Sequence, residues 1–288
     1  MTPTLAGHRL PPAEPAPGAD RCARARDWAE IQERMLVPLY EAVYERLDVG
    51  SGTRLLGLGC GTGLALLLAA LRGAAVTGVD GGAPERLALA HERLLPAAPA
   101  PRARARAVAR IVHGAPRDAA PAAGEAAYTL LTSFEPIGCT VGDREGLRAL
   151  LAEATPLAEH GAPVVLAAWD PPERCSTSSV LRAVSRLADP EHGRGGWRPA
   201  RRDDLEEAAQ RCGLSPDGSG RVACPFGYAD MDSAVRGMLS TGLFDAAIAA
   251  TDREQVGKEL TESLHPHRRA DGTVWMPNVF RYLIARAP

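Results

Sequence analysis

Lysine and asparagine are almost missing from this chain: Lys258 and Asn278 are the only ones among 288 residues, and arginine carries the rest of the positive charge. With alanine so abundant, this reads as the codon bias of a GC-rich genome and carries no functional message. A formal net charge of −2 leaves no broad basic field, so partners of nucleic-acid or anionic-membrane type are not expected. No apolar run approaches the length of a membrane span. The first residues lack the apolar core of a signal peptide. The six cysteines, Cys22, Cys60, Cys139, Cys175, Cys212 and Cys224, form no C-x-x-C pair, so no metal site is expected. Reduced thiols in the cytoplasm are the simplest expectation. No phosphate-binding G-x-x-x-x-G-K-[ST], no H-E-x-x-H and no Ser-His-Asp order occurs.

What the chain does have is the run Thr53-Arg54-Leu55-Leu56-Gly57-Leu58-Gly59-Cys60-Gly61-Thr62-Gly63. A short apolar run, a glycine-punctuated turn and an apolar helical pattern over 64–71 read as strand, tight loop and helix. A second apolar run over 74–79 ends in Asp80. This is the order of a nucleoside-binding βαβ unit. Glycines let the backbone approach a ligand with no Cβ in the way, and the helix start offers free N–H groups. An acidic residue closing the second strand can accept hydrogen bonds from both ribose hydroxyls. The spacing G-x-G-x-G is not the G-x-G-x-x-G of a dinucleotide fingerprint, which argues against a nicotinamide enzyme.

The glycine loop with its acidic strand end resembles the class I S-adenosylmethionine-dependent methyltransferases. The likeness extends to Trp28, Pro38-Leu39-Tyr40, Ala168-Trp169-Asp170-Pro171-Pro172-Glu173-Arg174-Cys175, Asp271-Gly272 and Asn278-Val279-Phe280-Arg281. It is nearest to the small-molecule, UbiE-like branch (methyltransferase type 11). The resemblance implies an α/β fold: a Rossmann-like seven-stranded mostly parallel sheet with helices on both faces, plus a helical cap insertion. It implies S-adenosyl-L-methionine as cofactor and a small-molecule acceptor, such as a secondary metabolite. The cofactor-binding set it implies is Tyr40, Leu58, Gly59, Cys60, Gly61, Gly63, Asp80, Gly81, Asp118, Ser133 and Phe134. One position departs. The family ends its first strand with Asp or Glu two residues before the first loop glycine, and here that residue is Gly57. Restoring it as Gly57→Asp is expected to tighten cofactor binding. The departure also motivates an alternative: a methyltransferase fold with lost or repurposed activity, either a non-methylating cyclase or isomerase or a non-catalytic binding subunit.

Taken in order, residues 1–22 are Pro, Ala and Gly-rich and are expected to be a disordered tail, with one methyltransferase domain over 23–288. A helix is predicted over 24–47, its apolar face Trp28, Ile31, Met35, Leu39, Val43 and Leu47, kinked or split at Pro38. Strands are predicted at 54–58, 75–79, 107–112, 127–132, 163–169 and 222–228, with a last long strand or hairpin over 273–285 ending at the sheet edge. The segment 96–106 reads as a loose loop. Residues 170–200 and 229–266 read as cap segments. Trp197, in the glycine-rich stretch with His192, is either a pocket wall or a loop anchor.

Methyl transfer asks mainly for alignment, and a base is needed only where the acceptor must lose a proton. The catalytic candidates are His113, near the end of the third strand, and Glu135, in the loop expected after the fourth. Glu135 is placed to bind a cation or act as a base; a solvent-facing loop charge is the plain alternative. Tyr228, His265 and His267 are further candidate bases, the two histidines more simply a solvated helix end.

Overall fold

A computed structural model describes residues 17–95, 108–188 and 196–288. The chain opens with α1 (Pro17–Asp27), a wide π-turn at Trp28–Gln32 and a tighter turn at Glu33–Leu36, then α2 (Val37–Arg46). The single predicted helix is therefore split, but ahead of Pro38. Pro38 sits in the first turn of α2, where its missing N–H costs nothing. Helix α1 also begins inside the stretch expected to be tail. The remainder of that stretch, the 96–106 loop and His192 lie outside the described residues.

The glycine unit forms as the sequence indicates: β1 (Arg54–Leu58), α3 (Leu64–Leu71) and β2 (Ala75–Asp80). Then come α4 (Pro84–Leu94), β3 (Ala109–His113), β4 (Leu130–Ile137), α5 (Asp143–Ala154), β5 (Pro163–Trp169), α6 (Thr177–Val184) and α7 (Asp204–Arg211). The chain finishes with β6 (Ser215–Ala223), β7 (Phe226–Tyr228), α8 (Met231–Ser240), α9 (Asp245–Ala250), α10 (Arg253–Leu264), β8 (Val274–Met276) and β9 (Val279–Arg286).

Seven strands form one sheet in the order β3-β2-β1-β4-β5-β9-β6, with β9 antiparallel to both its neighbours and the rest parallel. Successive strand residues serve opposite faces. Leu55, Leu130, Val165 and Ile284 join one core with α2, α3 and the cap helices. Leu56, Leu131, Val164, Leu166 and Leu283 join the other, against α5 and α7. Helices α6, α8 and α9 pack on α10, and a two-stranded sheet of β7 and β8 lies against α8; this layer is the cap. No helix among the described residues is long and apolar enough to cross a membrane.

Three strand expectations are corrected. The final strand breaks at Pro277-Asn278 into β8 and β9, and β9 lies inside the sheet, not at its edge. The edge is β6, a polar, glycine-bearing strand whose register shifts between Pro216 and Gly218. The fourth strand runs on through Ser133, Phe134 and Glu135 to Ile137, with an irregularity against β5 between Ser133 and Ile137. The loop expected after it is therefore part of the strand's ligand end.

Candidate active site

The loop Gly59-Cys60-Gly61-Thr62-Gly63 needs its glycines. Gly59, Gly61 and Gly63 have φ of +61°, +55° and +78°, a region L side chains rarely adopt. A Cβ on Gly63 would also lie 3.0 Å from the Cβ of Ala90 on α4. The backbone N–H groups of Gly59 and Cys60 donate to the Val79 carbonyl at 2.9 and 3.3 Å. Gly61 N–H donates to Asp80 Oδ2 at 2.9 Å, and Gly82 N–H to Oδ1 at 2.7 Å. Asp80 thus ties the loop to the end of β2. Each of its oxygens still has a lone pair to offer a ligand hydroxyl.

Over this loop lies the turn between α1 and α2. Its Glu33 is buried. The Glu33 carboxylate accepts from the Thr62 hydroxyl and pairs with Arg93 of α4 at 2.6 Å. Arg93 also donates to the carbonyls of Thr62 at 2.9 Å and Ala29 at 3.1 Å. The other Glu33 oxygen faces Leu64 N–H at 3.4 Å, at the positive end of α3. Beside this clasp, the buried indole N–H of Trp28 has no partner among the described residues. It lies 3.7 Å from where a Cβ on Gly61 would stand. The Arg86 guanidinium covers the Trp28 ring at 4.8 Å and donates to the Ser240 carbonyl at 2.7 Å.

Gly57 explains itself. A Cβ there would lie 2.8 Å from Leu66 Cδ2, and a Cβ on its β2 neighbour Gly78 would strike the same side chain. Leu66 of α3 fills the space an acidic side chain at position 57 would enter. The expected gain from Gly57→Asp therefore carries a steric cost: Leu66 must shift before the added carboxylate can reach a ligand.

Two cavities share the ligand edge of the sheet. The smaller, about 70 Å³, lies over the loop and is lined by Trp28, Glu33, Tyr40, Asp80, Arg86 and Phe134, among others. Leu58, Gly59, Cys60 and Gly61 form its floor. Tyr40 stacks on Phe134 with ring centroids 4.8 Å apart. Burial, with Glu33 and other neighbours adding to it, holds the Tyr40 phenol well above its ordinary range. Burial likewise pushes the Cys60 thiol up to about 12, with the Asp80 charge as the next cause.

The larger cavity measures about 660 Å³, within the roughly 300–1,000 Å³ usual for small-molecule sites. One end is formed by Gly81, Gly114, Ala115 and Pro116, the middle by Ser133 and Glu135, and the cap end by Trp169, Phe226, Met238 and Phe280. Glu135 lines both cavities. Its Oε2 sits 3.4 Å from the position of a Cβ on Gly59. Its side chain is solvent-exposed where it faces the open cavity, while the protein around it removes much of its hydration. This desolvation raises its pKa, Asp80 and Asp143 add to the rise, and Arg86 opposes it.

Five candidates lie away from this arrangement. His113 is paired in register with Asp80 but its side chain is exposed and lines neither cavity. Asp118 turns back into its own loop, accepting from Ala115 N–H at 2.8 Å, and is exposed. Tyr228 is buried, donates to Gln32 Oε1 at 2.8 Å, and lines neither cavity; burial raises its pKa. His265 and His267 form the turn after α10, and neither lines either cavity. Trp197 bridges to Thr140 through its backbone and lines neither cavity. Sequence reasoning missed Glu33, Arg86, Arg93 and Gln32. The one available signal was that Glu33 falls beside the apolar helical face of residues 28–47.

No protein-family model and no characterised sequence matches the chain. Solved structures do. A candidate methyltransferase from Bacillus halodurans matches with a TM-score of 0.52 at 12% identity, covering 86% of this chain and 98% of its own. An S-adenosylmethionine-dependent methyltransferase from Thiobacillus denitrificans, in complex with S-adenosyl-L-homocysteine, gives 0.51 at 17% identity over 94% and 99%. The YcgJ protein of Bacillus subtilis gives 0.51 at 13% over 86% and 98%. At these identities the likeness establishes the fold, a Rossmann-like methyltransferase fold, and nothing finer.

Proposed function

We propose that this chain is an S-adenosylmethionine-dependent methyltransferase acting on a small molecule. The observation that carries the reading is one continuous surface. The glycine loop tied to Asp80 opens, past Gly81 and Glu135, into a cavity of about 660 Å³ that runs under the cap. The residues present fit such a cofactor. Asp80 keeps lone pairs for ribose hydroxyls, and Gly59 and Gly61 keep side chains out of the way. Trp28 offers a buried N–H with no partner among the described residues. When bound, the cofactor supplies a methyl group on a positively charged sulfur, already activated toward a nucleophile. The chain's share of the work is alignment and exclusion of water. Glu135, with its raised pKa and its place between the two cavities, is the group able to take a proton from the acceptor.

The test is calorimetric titration with S-adenosylmethionine and, separately, S-adenosylhomocysteine. Micromolar binding of both is expected. Asp80→Ala should weaken it by about 1.5–3 kcal/mol, the scale of a hydrogen bond to a charged group. A second reading, a fold of this type turned to another reaction, is favoured by the small space over the loop and by Leu66 filling the side of Gly57. Failure of the folded protein to bind either ligand would select it.

A further inference from the structure

The cap end of the large cavity is apolar and aromatic. Trp169 packs at a tilt of 47° against Phe280 with centroids 4.6 Å apart and meets Phe226 edge-on at 5.8 Å. Met238 completes this wall. The charged side chains lining the cavity among the described residues are Glu135, Asp143 and Glu153; no lysine, arginine or histidine is among them. Of the three carboxylates, Asp143 is matched on both oxygens and Glu153 on one, its Oε2 being buried with no partner among the described residues. Asp143 accepts from the N–H groups of Gly138, Cys139 and Thr140 at 2.7, 3.1 and 3.1 Å and pairs with Arg198 at 2.6 Å. Glu153 pairs with Arg117 at 3.0 Å through one oxygen. Glu135 has no hydrogen bond or ion pair to any described residue, and the nearest cation acting on it, Arg86, lines only the smaller cavity.

A cavity with acidic groups, no basic ones and an aromatic wall repels carboxylates and phosphates. It attracts a cation whose body is apolar, because ring faces and a carboxylate both favour positive charge. We propose that this cavity takes a hydrophobic amine in its protonated form, with the apolar body against Trp169, Phe226 and Met238 and the nitrogen at Glu135. The proposal rests on the methyltransferase reading in one respect, that the amine is the acceptor. Before such a nitrogen can act as a nucleophile it must release a proton. The Glu135 carboxylate receives it, leaving a neutral amine beside a neutral carboxyl group.

The probes are 4-phenylbutylamine, 4-phenylbutanol and 4-phenylbutyrate, titrated into the full chain without cofactor while following the fluorescence of Trp28 and Trp169, both of which line the cavity. The amine is expected to bind at least tenfold more tightly than the alcohol, and the carboxylate least. Glu135→Gln should abolish the preference for the amine while the alcohol binds as before, which also reports that the variant is folded; Glu135→Asp should keep part of the preference. Equal affinities for all three, preference for the carboxylate, no binding of the amine at millimolar concentration, or an unchanged amine-to-alcohol ratio in Glu135→Gln would each overturn the proposal. Calorimetry with S-adenosylmethionine on the same preparation separates the two readings. Cofactor binding without amine preference removes the substrate class alone, and amine preference without cofactor binding removes methyl transfer alone.

Discussion

Over the glycine loop the free space is about 70 Å³; beside it, running under the cap, it is about 660 Å³. The two spaces share Trp28, Leu36, Glu135, Pro136 and Thr241 as wall residues, yet they are built differently. The first is set by backbone. Strand ends, positive-φ glycines and the Asp80 carboxylate fix its shape within a short length of chain, and a buried ion pair closes it from above. The second is set by side chains arriving from β4, β5, α8, β9 and the small β7–β8 sheet, elements far apart in sequence. The contrast teaches that a tightly specified loop and a roomy pocket can share one edge. Recognition common to many ligands belongs to the backbone-built part, and selectivity to the part built from distant side chains.

The strongest way to break this contrast is Glu33→Ala. It leaves Arg93 without its carboxylate and Thr62 without its acceptor. Removing one partner of a buried ion pair costs about 3–5 kcal/mol. The low end is expected, since Arg93 keeps two carbonyl partners. Urea denaturation measures it, and an unchanged midpoint would show that the clasp contributes nothing to stability. Next is Gly57→Asp, expected to destabilise by about 1–3 kcal/mol through overpacking against Leu66. The same change in a Leu66→Ala background should cost less than the two substitutions summed. Strict additivity in the thermal midpoints would mean the two positions do not compete for space.

A smaller effect sharpens the comparison. Trp28→Phe removes an N–H that has no partner among the described residues. Replacing a buried unsatisfied polar group by an apolar one is close to neutral or stabilising. Stability should move by less than about 1 kcal/mol while cofactor affinity falls; an equal loss of both would make Trp28 a packing residue only. The smallest effect is chemical. Thiol alkylation followed by mass spectrometry at pH 8 should mark exposed Cys22 first. Cys60, Cys139 and Cys224 should react slowly, because burial pushes each thiol up to about 12. Early labelling of Cys60 would mean that the loop opens readily in solution.

The backbone-built part was legible in the sequence because its determinants are local. Residues 53–63 and Asp80 place β1, the loop and the end of β2 where the pattern puts them, and the clustering of Leu64–Leu71 is enough for α3. The missed elements fail for stated reasons. Over residues 215–221, strand β6 has no apolar alternation, and its one strand partner among the described residues is β9, so periodicity gives no signal there. Ser133-Phe134-Glu135 looked like a loop because Pro136 follows, but an irregularity in the pairing with β5 absorbs the proline. Glu33 could not be singled out because its partners, Thr62 and Arg93, are 29 and 60 positions away. His113 and Asp118 were placed near the correct strand end, but the direction of an exposed side chain is not written in spacing.

Strand β6 ends the sheet with an open row of backbone groups, the kind of border along which chains recruit copies of themselves. It also carries its own deterrents. Pro216 offers no N–H to an incoming strand, the register slips between Pro216 and Gly218, and Asp217 stands between them, paired with Arg286 at 2.8 Å. Bulge, proline and charge at one point are how natural sheets avoid self-templating. The strand whose first seven residues the sequence pattern left out is thus the one that carries these deterrents.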